Sequence, residues 1–83
     1  MTDQGIREVL LTHGKLTVDS ASLRDDDDLY HHGLTSHASI NVMLALEDMF
    51  DLEFPDYLLR RATFQSVASI RAALTELGTK VDL

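Results

Sequence analysis

The chain of 83 residues contains no cysteine and no tryptophan, and it has only one proline. Without cysteine it can form neither a disulfide nor a thiolate metal site, and this composition suits a reducing compartment. It has no apolar run long enough to span a membrane. Residues 1–5 have neither the basic region nor the apolar core of a signal peptide. We therefore expect a cytoplasmic protein that does not insert into membranes.

Positive charge is scarce in the middle of the chain. Residues 19–56 contain ten carboxylates and one arginine, Arg24, and the whole chain has a net charge of -7. Such a surface repels nucleic acid and attracts basic protein surfaces. We therefore expect protein partners and no nucleic acid. The alternative is that the charge only keeps a small domain in solution.

The length predicts one domain, residues 1–83, with its core at about 3–78 and with a thin interior. Apolar residues recur at helical spacing almost throughout, and no segment alternates as a strand would. A first helix is predicted over Asp3–His13, with Asp3 as its N-cap and Gly14 as its stop. A long loop, Lys15–Thr35, follows. Four apolar residues are its predicted anchors to the core: Leu16, Val18, Leu23 and Leu29.

A second helix is predicted from Thr35 or Ser36 to about Phe50, with an apolar arc wider than one core contact needs. Pro55 suits the first turn of a short third helix over Asp56–Arg61. The last helix should start near Thr63 or Ser66, and Gly78 should close it. The predicted fold is an all-α four-helix bundle with a short third helix and a long first loop. Its predicted core comprises Val42, Leu46, Phe50, Val67, Ile70 and Leu74, and the aromatics Phe54 and Phe64 are also expected inside.

Ser36 stands at the predicted start of the second helix, just after Gly33. Free backbone N–H groups and the positive dipole end at a helix start favour a bound phosphate. Glycine gives the chain freedom to turn before it. The alternative is that Thr35 and Ser36 serve only as N-caps.

Three segments together resemble the acyl carrier proteins, the phosphopantetheine-binding domains of fatty-acid and polyketide synthesis. The matching residues are Asp28-Leu29-x-x-x-Gly33-Leu34-x-Ser36, then Ala45-Leu46-Glu47-Asp48-x-Phe50-Asp51-x-Glu53-x-Pro55-Asp56, and finally Thr63-Phe64-x-Ser66-Val67. The resemblance covers nearly the whole chain in order. It implies that Ser36 receives a covalent 4'-phosphopantetheine arm from coenzyme A, flanked by Gly33, Leu34, Thr35 and His37.

The resemblance also implies partners and a role. A phosphopantetheinyl transferase would attach the arm, a ligase would load an acyl or aminoacyl group as a thioester, and downstream acyl-transfer enzymes would receive it. The thiol belongs to the cofactor, so the protein itself would be a non-catalytic monomer.

Some positions differ from the usual pattern of the family. Thr35 stands where an aspartate is usual, His37 where a leucine is usual, and Asn41 where fatty-acid carriers are often acidic. Residues 57–61 read Tyr-Leu-Leu-Arg-Arg where such carriers are usually acidic. These differences favour a carrier dedicated to one pathway, including an aminoacyl carrier, over the housekeeping carrier of fatty-acid synthesis.

The predicted partner surface lies around the end of the second helix and the start of the third. Basic surfaces should be steered there by exposed acids, and nearby apolar and basic residues should form the specific contact. Its residues are Met43, Leu44, Glu47, Asp48, Asp51, Asp56, Tyr57, Leu58 and Arg60.

Three other functions have some support in the residues. His31 and His32 beside Asp25–Asp28 could bind a cation, but the run lacks the glycine and closing glutamate of a calcium loop, so we predict solvated loop residues and no metal site. A hydrolase using Ser36 with His37 or His13 lacks a nucleophile elbow and an oxyanion hole, so no catalytic residue is predicted. A small acidic helical adaptor without a cofactor would share the acidic and apolar surfaces and would differ only at Ser36.

Overall fold

The computed structural model describes residues 2–19 and 22–78, and in residues 2 and 3 it describes the backbone alone. Within these ranges the chain forms three α-helices, several short helical turns and no β-strand. Helix α1 spans Thr2–Val9, α2 spans Ser36–Phe50 and α3 spans Val67–Glu76. The all-helical class is confirmed, and the start and end of α2 agree with the prediction.

Helix α1 continues into a π-helical turn, Leu10–Gly14. The predicted helix Asp3–His13 is therefore close to the observed one, although the helix already includes Thr2. The chain leaves the helical conformation at Lys15, whose φ and ψ of 53° and 43° are left-handed. Gly14 is the last residue of this turn, so the helical segment stops where predicted, although Lys15 and not the glycine adopts the left-handed conformation.

The short third helix predicted for Asp56–Arg61 is not confirmed. Two 3-10 turns are found in this region, Asp56–Leu58 and Arg61–Phe64. Pro55 precedes the first turn in an extended conformation, with φ −71° and ψ 160°, so it does not begin a helix as predicted. Each turn ends on a buried apolar side chain. The interruption thus lets both turns reach the core.

The long loop before α2 is anchored to the core as predicted by Leu23 and Leu29, which are buried, and by Leu16, which is half-buried. Val18 is 37% exposed, so its predicted role as an anchor is wrong. Backbone hydrogen bonds tie the loop to α3 and the segment before it. Leu29 donates to the Gln65 carbonyl at 2.7 Å, and the Asp25 carbonyl accepts from Ala68 at 2.9 Å.

Asp25 ties the loop to both terminal helices through its side chain. Its carboxylate lies 3.2 Å from Arg7 in α1 and 2.9 Å from Arg71 in α3. The hydrogen bond from Arg71 is the main cause that lowers the pKa of Asp25 below its usual value. Arg7 also donates to the Leu23 carbonyl at 2.7 Å. This aspartate thus links the loop to α1 and α3, a role that its place in an acidic run does not reveal.

The core lies where the three helices and the loop meet. Five of the six predicted core residues are fully buried, namely Val42, Leu46, Val67, Ile70 and Leu74. Phe50 is only half-buried, so its prediction as a core residue is wrong. It is the last residue of α2, and its ring lies beside Gly5 of α1, where an added Cβ would be 3.2 Å from the ring.

The other two phenylalanines are inside, as predicted. Phe54 and Phe64 are buried, and their ring centroids lie 5.5 Å apart. Ser66 then caps α3, accepting a hydrogen bond from the Ser69 N–H, while the Ser69 hydroxyl accepts from the Ser66 N–H. This reciprocal cap confirms one of the two predicted starts of the last helix.

Candidate functional site

The turn that leads into α2 is built by a glycine that no other residue could easily replace. A 3-10 turn, Leu29–His32, ends at Gly33, whose φ of 104° is left-handed. An added Cβ there would lie 3.0 Å from the Thr17 side chain and 3.2 Å from its backbone nitrogen. Leu34 then points into the core. The chain is thereby turned so that the next two residues begin α2 at the surface.

Thr35 caps α2. Its hydroxyl oxygen accepts a hydrogen bond from the Ala38 N–H at 3.0 Å. Ser36 is the first residue of the helix and is exposed. Among the described residues nothing forms a hydrogen bond with its hydroxyl. The capping role and the exposed hydroxyl are thus divided between two neighbouring residues, so Ser36 is left available for chemistry.

Ser39 is the nearest other serine, and its setting differs. It is half-buried, and its hydroxyl donates to the Ser36 carbonyl at 2.7 Å. A hydroxyl that is partly buried and already bonded to the backbone is less accessible to an enzyme. The geometry therefore distinguishes the two serines, although they lie one turn apart.

Ser36 opens onto a cleft of about 500 Å³ between α2 and the segment of the two 3-10 turns. We call it the Ser36 cleft. The described residues that line it are mostly apolar and include two arginines but no carboxylate. The lining residues are Tyr30, Ser36, Ser39, Ile40, Met43, Leu59, Arg60, Arg61 and Phe64. The guanidinium of Arg61 stacks on the ring of Tyr30, 3.8 Å from its centroid.

A second groove, of about 620 Å³, lies on the other side of α2, against α1. We call it the α1–α2 groove. In the part of the chain that the structure describes, its lining has two carboxylates and a histidine but no arginine or lysine. The residues that line it are Glu8, Val9, Thr12, His13, Asn41, Leu44, Ala45, Asp48 and Met49. His13 and Ser36 thus belong to different surface depressions, an arrangement that gives no support to a Ser–His catalytic pair.

The residues of the predicted partner surface are divided between these two sides. Met43 and Arg60 line the Ser36 cleft, whereas Leu44, 52% exposed, and Asp48 line the α1–α2 groove. Leu58 is 5% exposed and belongs to the core, so its prediction as a partner contact is wrong.

The remaining residues of that surface differ in what they do locally. Asp51 and Asp56 are exposed at the end of α2 and the start of the first 3-10 turn. Glu47 is half-buried, and its carboxylate accepts a hydrogen bond from the Phe54 N–H at 2.8 Å. It therefore holds the turn after α2 and is not simply a surface charge.

Tyr57 is 58% exposed, and its hydroxyl donates a hydrogen bond to the Glu76 carboxylate. This bond is the main cause that raises the pKa of Tyr57 above its usual value. Tyr57 thereby links the first 3-10 turn to α3 while most of its ring faces solvent.

Six of the residues that line the Ser36 cleft were not predicted as site residues, and two of these six, Tyr30 and Arg61, contact each other. Tyr30 and Arg61 meet only through the fold, because one lies in the loop before α2 and the other follows α2. The signal for Arg61 was present in the two adjacent arginines after a long acidic stretch. His37, which was predicted to flank the site, is exposed and does not line the cleft.

The histidines of the loop stack on each other. The rings of His31 and His32 meet edge to face, with centroids 5.9 Å apart. In the part of the chain that the structure describes, no group of three or more metal-ligating side chains is gathered. The same part has no helix that is long and apolar enough to cross a membrane.

A family model described as the phosphopantetheine attachment site matches residues 8–74. The chain belongs to this family. Members carry a 4'-phosphopantetheine group, so this chain is a carrier protein with that prosthetic group. The resemblance found in the sequence is therefore confirmed, and an adaptor without a cofactor is excluded.

Relatives of this carrier include an aminoacyl carrier protein from Agrobacterium fabrum strain C58. It is 46% identical over 65 residues, which are 78% of this chain and 78% of that protein. A carrier protein from Agrobacterium tumefaciens appears among the solved structures, in a complex of an engineered Bradyrhizobium japonicum glycine:[carrier protein] ligase with ATP. That match has a TM-score of 0.89 and 39% identity, and covers 92% of this chain and 99% of the other.

A further complex contains the Bradyrhizobium japonicum glycine:[carrier protein] ligase with a glycylated carrier protein. It matches with a TM-score of 0.74 and 26% identity, and covers 87% of this chain and 96% of the other. The proteins similar to this chain therefore include an aminoacyl carrier protein and carrier proteins in complex with a glycine:[carrier protein] ligase.

Proposed function

We propose that Ser36 is the attachment residue and that this carrier holds an amino acid as a thioester. The observation that carries the assignment is the division of work at the start of α2. Thr35 supplies the cap, and the exposed Ser36 hydroxyl has no partner among the described residues. The hydroxyl also stands beside the free N–H groups of the first turn, where an anionic group is favoured.

The chemistry at Ser36 needs a transferase and no acid or base from this chain. The Ser36 oxygen forms a bond to the phosphorus of the phosphopantetheine half of coenzyme A, and loses its proton. The pyrophosphate bond of coenzyme A breaks, and the adenosine bisphosphate half leaves. The thiol at the end of the attached arm then supplies the thioester linkage, so the protein serves as a non-catalytic carrier.

The aminoacyl cargo is supported by the relatives. The 46% identical relative is described as an aminoacyl carrier protein, and the structural neighbours include carriers in complex with a glycine ligase. The departures at Thr35, His37 and Asn41 from the pattern of fatty-acid carriers support the same dedicated role. We propose as partners a phosphopantetheinyl transferase, an ATP-using amino-acid ligase of this kind and a downstream acyl-transfer enzyme. This setting agrees with the cytoplasmic location expected from the sequence.

The partner surface is proposed to centre on the exposed acids in the last turns of α2 and in the segment that follows it. Asp48, Asp51 and Asp56 are exposed, and basic partner surfaces would be steered to them. The segment 56–64 is proposed to serve as the short third helix of a four-helix carrier domain. In this role its 3-10 turns would border the arm on one side.

The experiment is intact-mass analysis in two stages. Treatment with a phosphopantetheinyl transferase and coenzyme A should add the mass of one arm to the parent and to Ser39→Ala, and none to Ser36→Ala. A glycine:[carrier protein] ligase with ATP and a panel of amino acids should then add one aminoacyl mass to the loaded protein. Arm loading that persists in Ser36→Ala would refute the attachment residue. A loaded protein that accepts fatty acyl groups but no amino acid would refute the cargo.

A further inference from the structure

Two basic residues of this acidic chain, Arg60 and Arg61, lie together in the Ser36 cleft. The chain has 14 acidic and 7 basic residues. Arg7 and Arg71 are both paired with Asp25. Among the described residues, neither Arg60 nor Arg61 forms an ion pair, and the cleft lining includes no carboxylate. The cleft onto which Ser36 opens thus contains two positive charges that have no ion-pair partner among the described residues.

Arg61 is also held in place. Its guanidinium stacks on the face of the Tyr30 ring at 3.8 Å. Stacking fixes the plane of the guanidinium and leaves the N–H groups at its edge free to bind an anion. The Tyr30 side chain is itself packed against the core, and its backbone N–H donates to the Asp28 carboxylate at 3.0 Å. The fixed plane reduces the side-chain entropy that an exposed ion pair would otherwise lose.

The phosphodiester of the arm would supply the negative charge that is missing beside the two arginines. Attachment of the arm to Ser36 places a phosphodiester, with one negative charge, at the mouth of the cleft. Two sources of positive potential would then meet it, namely the N–H groups at the start of α2 and the guanidinium groups of the cleft. Phosphate is the anion that the fork of an arginine matches best, together with carboxylate.

We propose that Arg61, held on Tyr30, positions the phosphodiester that joins the arm to Ser36, and that Arg60 adds charge without a fixed geometry. This inference rests on the proposed attachment at Ser36. It assigns Arg61 a positioning role that directs the base of the arm toward the Ser36 cleft and away from the α1–α2 groove. Arg60 contributes less because it also lines a smaller depression beside α3, which contains the Glu76 carboxylate.

The test compares the full chain with and without the arm, and it measures signals from the arginine side chains and from the phosphorus of the arm. Hydrogen exchange of each arginine Nε–H is measured by nitrogen-resolved NMR, and the phosphodiester by phosphorus NMR. Loading should slow exchange at Arg61 by about two- to fivefold, as expected for a solvent-exposed ion pair. Arg60 should be slowed less. Arg24, an exposed arginine in the middle of the loop that does not line the cleft, should be unchanged.

Matched variants separate positioning from general charge. Arg61→Gln should shift the phosphorus resonance of the loaded protein toward its position in the urea-unfolded protein. Arg24→Gln, the same change at an arginine that does not line the cleft, should leave that resonance unchanged. Arg61→Lys keeps the charge but lacks the fork of the guanidinium, so its phosphorus resonance should lie between those of the parent and Arg61→Gln. Tyr30→Leu keeps Arg61 but removes the ring face, and should shift the resonance in the same direction as Arg61→Gln. Circular dichroism of each variant checks that the helices are retained.

The outcomes are distinguishable. Normal loading with unchanged Arg61 exchange and an unchanged phosphorus resonance in Arg61→Gln would overturn the positioning role and leave the proposed function standing. Slower reaction with the transferase or the ligase, without any change in the two NMR readouts, would also overturn it and would place the arginines in the partner surface. Absence of loading in the parent protein would refute the proposed function itself.

Discussion

The two sides of α2 differ in charge although they belong to one helix. Among the described residues, the Ser36 cleft is lined by two arginines and no carboxylate, whereas the α1–α2 groove is lined by Glu8 and Asp48 and by no arginine or lysine. The net charge of -7 conceals this difference. One side suits a covalent phosphodiester, and the other suits a basic protein surface. The comparison shows that local placement of a few charges, and not the total, decides what each surface can bind.

The largest effect is expected from removing the one reactive group on the first side. Ser36→Ala should abolish loading completely and should leave the fold intact, because Thr35 and not Ser36 caps α2. Intact mass and thermal unfolding measure the two parts of this prediction. Ser39→Ala is the control, and it should load as the parent does. A marked loss of helicity in Ser36→Ala would show that the hydroxyl has a structural role after all.

The buried edge of α2 supports both sides, so a cavity there should damage both. Leu46 is fully buried, and Leu46→Ala should lower the free energy of unfolding by about 2–5 kcal/mol. That is most of what a domain of this size has. Phe50→Ala should cost less, because Phe50 is half-buried at the helix end. Urea unfolding of the two variants provides the comparison, and an equal or larger loss in Phe50→Ala would contradict the burial argument.

The cap of α2 should make Thr35 matter more than Ser36 for stability. Thr35→Ala removes the acceptor for the Ala38 N–H and should cost about 0.5–2 kcal/mol of stability. Thr35→Ser keeps the oxygen and should cost little. Thermal unfolding of both variants beside Ser36→Ala measures the difference. If the loss were greater in Ser36→Ala than in Thr35→Ala, the assignment of the cap would be reversed.

The acidic side can be tested through the rate at which enzymes act on the carrier. Asp48→Lys should slow loading by roughly two- to tenfold at low salt, and the effect should fade at high salt because exposed charges are screened. Glu47 is a less direct probe, since its carboxylate accepts from the Phe54 N–H. Glu47→Gln keeps an acceptor oxygen and removes only the charge, and so serves as its matched variant. Loading rates of Asp48→Lys equal to those of the parent at every salt concentration would show that this acid does not steer partners.

The smallest effect is expected from the pH dependence of Asp25. Its folded pKa is lowered, chiefly by the hydrogen bond from Arg71, below the usual value of 3.8. The stabilising contribution is therefore present above that value and is lost as the pH falls through the folded pKa. Thermal unfolding of Asp25→Asn should show a weaker loss of stability below about pH 4 than the parent. Asp26→Asn, at the exposed neighbour, should follow the parent, and identical profiles for all three would refute the role of the ion pairs.

Much of the site follows from short-range rules that a sequence displays. Helical spacing predicts α2, and a glycine followed by hydroxyl residues predicts its start, because capping and backbone freedom depend on residues that are close in the chain. The apolar residues spaced through the long loop predict its anchors, of which Leu16, Leu23 and Leu29 are confirmed, and the ordered pattern of residues 28–67 identifies the family. Ser36 could therefore be selected as the candidate attachment residue from its neighbours in the chain alone.

Other features depend on which distant segments meet, and only the tertiary structure decided them. Arg61 stacks on Tyr30 and Asp25 joins α1 to α3 because the helices pack in one particular arrangement. Leu58 became a core residue, and the predicted helix around it became two 3-10 turns, because packing against the other helices outweighs local preference. The sequence by itself determined the helical class, the family and the position of the candidate serine. The charge on each side of α2 was decided by packing, because side chains far apart in the chain become neighbours only in the folded protein.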